Sequence, residues 1–196
     1  MKKKSFIFLI IVYFLNTLNL YAIDPEIFIQ STVNRASKVL AEDISKEKKI
    51  AKLQAIAKDT VDIKGISFYT LGPIRKTLDE NQRKEYSELF EEYFLKSFSS
   101  RLAEYTNPEI DVNSKQILNK NYTIVNSTLK ATNERPEIKI DWRVYTKNIE
   151  MPLIRDLIIE GLSLARTQKE EFNSVLQSNN NDINELFKTL KNFINN

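Results

Sequence analysis

The 196-residue chain has no cysteine, no histidine and only three glycines. The absence of cysteine excludes a disulfide framework, a thiol nucleophile and a lipid-modified cysteine that would tether an exported chain to a membrane. The absence of histidine removes the usual general base near neutral pH, and both absences remove the commonest transition-metal ligands. Most hydrolytic and metal-dependent activities are therefore poor interpretations, and the sequence predicts no cofactor.

Two residue patterns still bear on catalysis. Ser45 and Lys48 have the serine–lysine spacing of some hydrolases, but a lysine-rich segment produces this spacing by chance. Asp141, Asp156 and Glu160 could act as paired carboxylates, yet structural polar contacts or helix capping explain them better, since nothing positions a substrate between them. Glycine-rich phosphate loops and calcium loops are absent from the sequence. We therefore predict a protein that is not an enzyme.

The N-terminus has the parts of a secretory signal peptide. Lysines at residues 2–4 precede an apolar block at residues 6–15, and a Leu-Tyr-Ala sequence ending at Ala22 offers a cleavage site. The apolar block is too short to span a bilayer comfortably, which argues against a retained membrane anchor. We expect residues 1–22 to be a cleaved signal peptide and residues 23–196 to form one exported domain.

Charge is balanced once the signal peptide is set aside. The whole chain has 29 basic and 26 acidic residues, and removal of the three N-terminal lysines leaves 26 of each sign. Sequence-independent binding of nucleic acid requires a dense cationic surface, so we exclude nucleic acid as a partner. A domain of this length is able to bury roughly 70% of its unfolded surface.

Helix start signals predict two helices at the beginning of the exported chain. Asp24 is a capping residue in front of Pro25, and the first helix is expected to run to about Glu42. Asp43 is placed to cap a second, lysine-rich helix. We interpret these lysines as a solvated face, with a docking surface for anionic lipid heads or an acidic partner as the alternative. The core side of the first helix is predicted to be Phe28, Thr32, Val33, Ala36, Val39 and Leu40.

The longest helix is predicted to begin at Asp79, which forms a capping-box pattern with Gln82. Asn107 and Pro108 forbid its continuation. A shorter segment before it, residues 62–73, ends in a Gly-Pro pair that stops a helix. The apolar positions of the long helix recur every three or four residues and are Tyr86, Leu89, Phe90, Tyr93, Phe94, Phe98, Leu102 and Tyr105.

The apolar period changes to two in the middle of the chain, where it predicts strands. The clearest inward positions are Ile138, Ile140, Trp142 and Val144. Flanking runs at residues 122–132 and 153–159 predict two more strands, and residues 110–112 predict a short fourth. The run at residues 156–163 passes from strand to helix at Gly161, and helical spacing then continues to the end. Helices, strands and helices in this order indicate an α+β domain with an antiparallel meander.

Four groups of residues occur in the order and register of one known family. The first two groups are Asp62, Ile63, Ile66, Leu71 and Gly72, then Glu80, Gln82 and Arg83. The third is Tyr86, Phe90, Phe94, Phe98, Leu102 and Tyr105 of the long helix, and the fourth is Asp156, Ile159, Glu160, Gly161, Ser163 and Phe172. This ordered set covers about residues 60–195 and resembles the MlaC family, also called the toluene-tolerance family, the periplasmic phospholipid-binding component of the Mla lipid-transport system.

The resemblance implies a cystatin-like α+β fold, in which a curved antiparallel sheet of about four strands and several helices enclose an apolar cavity for lipid tails. One tail of roughly 16 carbons represents on the order of 12 kcal/mol of apolar burial, so a soluble carrier must shield most of it. Each candidate wall residue is also explained as ordinary core, which any domain of this size needs. The candidates are Ile66, Phe68, Leu71, Phe90, Phe94, Phe98, Ile138, Ile140, Trp142, Val144, Leu157 and Ile159.

Two positions depart from the family pattern. Pro152 stands where relatives commonly have a tryptophan at the start of the last strand, and a proline there suggests a shortened or bulged start. Three asparagines at residues 179–181 replace the usual glycine turn before the final helix. Asparagine tolerates left-handed backbone geometry, so we expect this turn to be preserved.

The resemblance also implies a function. It is that of a periplasmic carrier that moves phospholipid between an outer-membrane lipoprotein–porin complex and an inner-membrane ABC transporter complex, and so maintains outer-membrane lipid asymmetry. One alternative is a carrier of hopanoid or another lipid with the same fold. Another is an exported adaptor whose apolar residues are simply core and whose lysine-rich helix docks a protein. An exported hydrolase is a more distant alternative.

Overall fold

The computed structural model describes residues 22–133 and 135–196, so nearly all of the expected signal peptide lies outside the described residues. The helices are α1 (Pro25–Ala41), α2 (Lys46–Thr60), α3 (Ile63–Thr70), α4 (Glu80–Leu102), α5 (Leu164–Ser178) and α6 (Ile183–Asn195), with a short 3₁₀ helix at Gly72–Lys76. The strands are β1 (Ile110–Asn119), β2 (Tyr122–Leu129), β3 (Ile138–Tyr145), β4 (Leu153–Ile159) and β5 (Leu162–Ser163). The expected α+β class is confirmed.

The five strands form one antiparallel sheet in the order β1-β2-β3-β4-β5. The expected meander is therefore confirmed, with one more strand than the four expected. Register shifts interrupt the β1–β2 and β3–β4 ladders, and such bulges bend a sheet. The outcome is a curved sheet with helices packed against it.

Side-chain caps fix the starts of the α-helices, and two of these caps were expected. Asp24 accepts a hydrogen bond from the Glu26 backbone N–H, and Asp79 and Gln82 form the predicted capping box. The prediction that Asp43 caps the second helix is wrong, because Ser45 does so and accepts from the Lys48 backbone N–H at 3.4 Å. The serine–lysine spacing of Ser45 and Lys48 is therefore explained by helix capping.

Three element boundaries were predicted wrongly. α4 ends at Leu102 rather than near residue 106, and β2 ends at Leu129 rather than residue 132. β1 is ten residues long, whereas only residues 110–112 were predicted. Most β1 side chains are exposed on both faces, with Ile117 at 74% exposure, so the strand carries little of the apolar alternation that reveals a half-buried strand.

Two turns, one between β4 and β5 and one between α5 and α6, show how the chain turns with few glycines. Glu160 and Gly161 both have positive φ (49° and 82°), as a two-residue type I′ hairpin requires between β4 and β5. Asn180 and Asn181 also have positive φ (54° and 60°), which confirms that asparagines replace glycine in the turn before α6. Pro152 is buried just before β4. The register shift in the β3–β4 ladder falls at Arg155 and not at the start of β4, where a bulge was expected.

The lysine-rich face of α2 is largely neutralised within the molecule. Lys46, Lys52 and Lys58 form ion pairs with glutamates, and Lys49 donates a hydrogen bond to the Leu40 carbonyl. These side chains are mainly exposed, so each pair contributes little to stability. The pairing supports the solvated-face interpretation over a cationic docking surface.

Candidate functional site

A cavity of about 210 Å³ lies between α4, α5 and the inner face of the sheet. α4 supplies one wall, the first half of α5 a second, and β3 and β4 the floor. Val61 and Ile66 also line the cavity, beside the floor. The lining residues are Val61, Ile66, Phe90, Tyr93, Phe94, Ser97, Phe98, Arg101, Trp142, Ile154, Asp156, Leu157, Leu164, Ala165, Thr167, Gln168 and Glu171.

The α4 wall consists of two parallel lines of side chains, one apolar and one polar. The apolar line is Phe90, Phe94 and Phe98, whose successive rings stack with centroids 6.2 Å and 5.5 Å apart. The polar line is Tyr93, Ser97 and Arg101, also four residues apart. Residues four apart lie one above another on a helix, so each line follows the helix axis over about 12 Å. The cavity is therefore amphipathic along its length.

The two ends of the cavity differ. Phe90 is only 1% exposed and meets the edge of the Phe172 ring at a centroid distance of 6.2 Å, which closes the first end. Arg101 at the other end is exposed, and Ser97 one turn before it is half-buried. The cavity thus runs from a closed aromatic end to an open end near the C-terminus of α4.

A hydrogen bond crosses the cavity between its two helical walls. The Tyr93 hydroxyl donates to Gln168 Oε1 at 2.7 Å, and the Gln168 amide donates to the Glu171 carboxylate at 3.0 Å. Burial raises the pKa of Tyr93, and the Glu171 carboxylate acts in the same direction. Tyr93 is therefore a neutral hydrogen-bond donor at physiological pH, and it links α4 to α5.

Asp156 fixes the start of α5, although it also lines the cavity. Its buried carboxylate accepts hydrogen bonds from Ser163 Oγ at 2.6 Å and from the Ala165 backbone N–H at 3.0 Å. Arg143 Nη1 lies 3.4 Å away. The capping interpretation of Asp156 is confirmed by these contacts, and Glu160 instead accepts from the Lys139 backbone N–H.

An ion pair secures the edge of the floor. Asp62 caps α3 through the Gly65 backbone N–H at 2.8 Å, and the Arg155 guanidinium donates to the same carboxylate at 2.6 Å. A Cβ at Gly65 would lie 2.4 Å from Asp62 Oδ2, so only glycine permits this cap. The neighbouring residues Val61 and Ile154 form a parallel bridge and face the cavity together.

Half of the twelve predicted wall residues line this cavity. They are Ile66, Phe90, Phe94, Phe98, Trp142 and Leu157. The other six lie elsewhere: Leu71, Ile140 and Val144 are buried in the main core, and Phe68, Ile138 and Ile159 are partly buried outside the wall. Ile140 and Val144 share a sheet face with Trp142, but each lies about 7 Å along the strand and meets other side chains. Lipid contact for all twelve stays a prediction.

Sequence reasoning missed the polar part of the wall. Tyr93 was recognised in the helical ladder but was not assigned to the cavity, and its spacing of four from Ser97 and Arg101 was the available signal. The α5 wall was missed entirely. Its residues are Leu164, Ala165, Thr167, Gln168 and Glu171, a mainly small or polar set that shows no apolar ladder.

The described part of the chain offers neither a metal site nor a membrane span. No group of three or more Asp or Glu residues among residues 22–133 and 135–196 is arranged to hold a metal ion. Over the same residues, each helix is too short or too polar to cross a bilayer.

Comparisons with known proteins agree with this geometry. The structure is similar to that of the phospholipid-binding protein from Ralstonia solanacearum in complex with a phospholipid, with a TM-score of 0.74 and 17% sequence identity over 88% of this chain and 97% of that one. At this identity the likeness concerns the fold. No curated protein sequence matches the chain significantly. The family model described as MlaC protein matches residues 30–192, and the chain therefore belongs to the MlaC family.

Proposed function

We propose that this protein binds a phospholipid by enclosing acyl tail in the cavity between α4, α5 and the sheet. The observation that carries this proposal is the line of stacked rings at Phe90, Phe94 and Phe98, which provides an apolar surface along about 12 Å of α4. Membership of the MlaC family and the shared fold with a phospholipid-binding protein support the same cargo.

Lipid entry is expected to widen the cavity. Its volume of about 210 Å³ is below the roughly 300–1,000 Å³ of typical sites for drug-sized ligands, and a diacyl lipid is larger than those ligands. The Tyr93–Gln168 hydrogen bond holds the two helical walls together across this space. A modest net energy of about 0.5–1.5 kcal/mol for such a bond is small beside the burial of a tail, so the lipid can displace it.

The proposed cellular role is transport rather than catalysis. Residues 1–22 direct export and are removed, and residues 23–196 carry the lipid through the periplasm between the outer-membrane lipoprotein–porin complex and the inner-membrane ABC transporter complex. A tail held by this much apolar burial leaves slowly, so the receiving complex must offer comparable burial or open the cavity. Absence of histidine and cysteine from the chain supports a non-enzymatic role.

Lipid extraction tests the cargo directly. The exported protein is purified from its native envelope and extracted with organic solvent, and the extract is analysed by mass spectrometry. We expect about one phospholipid per protein. A hopanoid in its place would favour the alternative cargo. No lipid in the extract, together with no uptake of labelled phospholipid by delipidated protein from vesicles, would support the adaptor hypothesis.

A pair of variants locates the binding surface. Phe98→Glu introduces a charge into the cavity wall, where its desolvation opposes an apolar tail. Ile117→Glu makes the same kind of change on β1, where the side chain is already 74% exposed. We expect Phe98→Glu to abolish phospholipid uptake and Ile117→Glu to leave it unchanged, with circular dichroism confirming that both variants fold. Equal uptake by the two variants would contradict the assignment of the cavity.

A further inference from the structure

We propose that the polar line of α4 ends in a phosphate site, in which Arg101 binds the phosphodiester of the bound phospholipid. This inference rests on the proposed function and adds the place and chemistry of head-group recognition. Arg101 lines the open end of the cavity, one helical turn beyond Ser97 and two turns beyond Tyr93. It is the only basic residue in the lining set.

The direction of the cavity determines which end receives the phosphate. Phe90, Phe172 and Tyr86 close the first end with aromatic contacts, so an acyl tail enters from the open end and its tip comes to lie at this closed end. The glycerol and phosphate of that lipid then remain near the exposed end of α4. From Phe90 to Arg101 the helix rises about 16 Å, which leaves the tail beside the rings and its polar end beside the guanidinium.

The charge of Arg101 is available for a ligand. No ion pair joins its guanidinium to a carboxylate among residues 22–133 and 135–196, whereas Arg143 and Arg155 each pair with an aspartate. Both acids that line the cavity already have partners. Asp156 accepts from Ser163 and Ala165, and Glu171 accepts from Gln168.

Arginine is also the appropriate group for this ligand. The planar guanidinium presents paired N–H donors that match two phosphate oxygens, and charge-assisted bonds of this kind are among the stronger hydrogen bonds. The hydroxyl of Ser97, which contacts that of Tyr93, lies on the same polar line. A phosphodiester is common to glycerophospholipids, so the site distinguishes them from uncharged lipids with the same tails.

A structural role for Arg101 makes a different prediction. Arg101 lies in the last turn of α4, where a cation interacts favourably with the helix dipole. In that role its loss would lower stability without changing the choice between lipids. The test therefore measures lipid preference and thermal stability together.

The experiment compares two lipids that differ in the phosphate-bearing head group. The delipidated full exported chain is titrated with vesicles containing a phosphatidylethanolamine or a diacylglycerol, each with one oleoyl chain and the same fluorescent acyl chain. We expect the wild-type protein to prefer the phospholipid by about tenfold, the scale of a charge-assisted hydrogen bond at a partly solvated site. Arg101→Gln is expected to reduce the preference to within about twofold, and Arg101→Lys to retain part of it.

Arg83→Gln is the matched control. Arg83 is exposed in the first turn of the same helix and is far from the open end of the cavity. We expect it to keep the wild-type preference. An unchanged preference in Arg101→Gln, with or without a lower melting temperature, overturns the phosphate site. So does a wild-type protein that binds both lipids equally well. A wild-type protein that takes up neither lipid overturns the proposed function and the phosphate site together.

Discussion

Both halves of α4 present aromatic side chains, but those of the first half pack in the core and those of the second half line the cavity. In the first half, Tyr86 and Phe90 are almost completely buried, and both contact Phe172 edge to face. The Tyr86 hydroxyl also lies 2.8 Å from the Thr70 hydroxyl, and burial raises the pKa of Tyr86. In the second half, Phe94 and Phe98 stack on each other and face the cavity. The first half is core as far as Phe90, which closes the cavity, and the second half borders the cavity.

This difference comes from the elements opposite α4 rather than from α4 itself. Phe172 on α5 occupies the space beside the first half, where it touches Tyr86 and Phe90, and it also reaches Tyr93 at the start of the second half. Beside the second half, α5 presents Ala165, Thr167 and Gln168, which are smaller or polar. The Phe172 ring therefore makes core beside the first half, whereas the smaller or polar Ala165, Thr167 and Gln168 border a cavity beside the second.

The largest expected effect comes from removing the side chain that fills the first half. Phe172→Ala deletes a ring that is 4% exposed and contacts three other aromatic residues. We expect the free energy of unfolding to fall by about 3–5 kcal/mol, because the variant loses apolar burial and gains a void. Urea unfolding followed by circular dichroism measures this. A loss below about 1 kcal/mol would mean that this end of α4 is not solidly packed.

Substitution of two buried alanines by leucine distinguishes packed core from cavity through a smaller change in stability. Ala57 is 1% exposed in the main core, so Ala57→Leu overpacks its surroundings and should destabilise the protein by about 1–3 kcal/mol. Ala165 is 9% exposed and lines the cavity, so Ala165→Leu has space available and should change stability by less than about 0.5 kcal/mol.

The same pair gives opposite results for lipid binding. The Ala165→Leu side chain occupies room for about three methylene groups of lipid, worth about 2 kcal/mol, or a roughly thirtyfold loss of affinity. Ala57→Leu is expected to leave the affinity of the folded protein unchanged. Equal destabilisation by the two substitutions, or undiminished lipid binding by Ala165→Leu, would remove the distinction between the two halves.

The smallest effect concerns the bond across the cavity. Tyr93→Phe removes the hydroxyl that donates to Gln168 and should lower the free energy of unfolding by about 0.5–1.5 kcal/mol at neutral pH. The raised pKa of Tyr93 means that its contribution is present below the ordinary tyrosine pKa of about 10 and declines as the pH rises above it. The difference in free energy of unfolding between the wild type and Tyr93→Phe should therefore be smaller above pH 10 than at pH 7. A constant gap would indicate that the hydroxyl is not buried.

The sequence predicted the elements that carry local signals. The caps at Asp24 and Asp79, the alternation in β3 and the glycine turn at Gly161 follow from backbone chemistry within a few residues. Those rules do not require knowledge of distant partners. β1 was underestimated because its exposed side chains lack a repeating pattern.

The cavity could be predicted only in part, because it depends on the side chains that lie opposite α4 as well as on those of α4. Spacing correctly grouped Phe90, Phe94 and Phe98 on one face of α4, but it did not show which side chains lie opposite them. Alternation likewise grouped Trp142 with Ile140 and Val144, although only Trp142 meets the cavity. Distinguishing empty space from packed core requires the three-dimensional arrangement.

Photo-crosslinking tests the central claim, that the second half of α4 and the first half of α5 border the lipid. A phospholipid with a diazirine on one acyl chain is loaded into the exported protein, irradiated, and mapped by peptide mass spectrometry. We predict label within residues 93–101 and 164–171. Label confined to Phe68, Leu71, Ile138 or Ile159, with none on α4 or α5, would contradict the account.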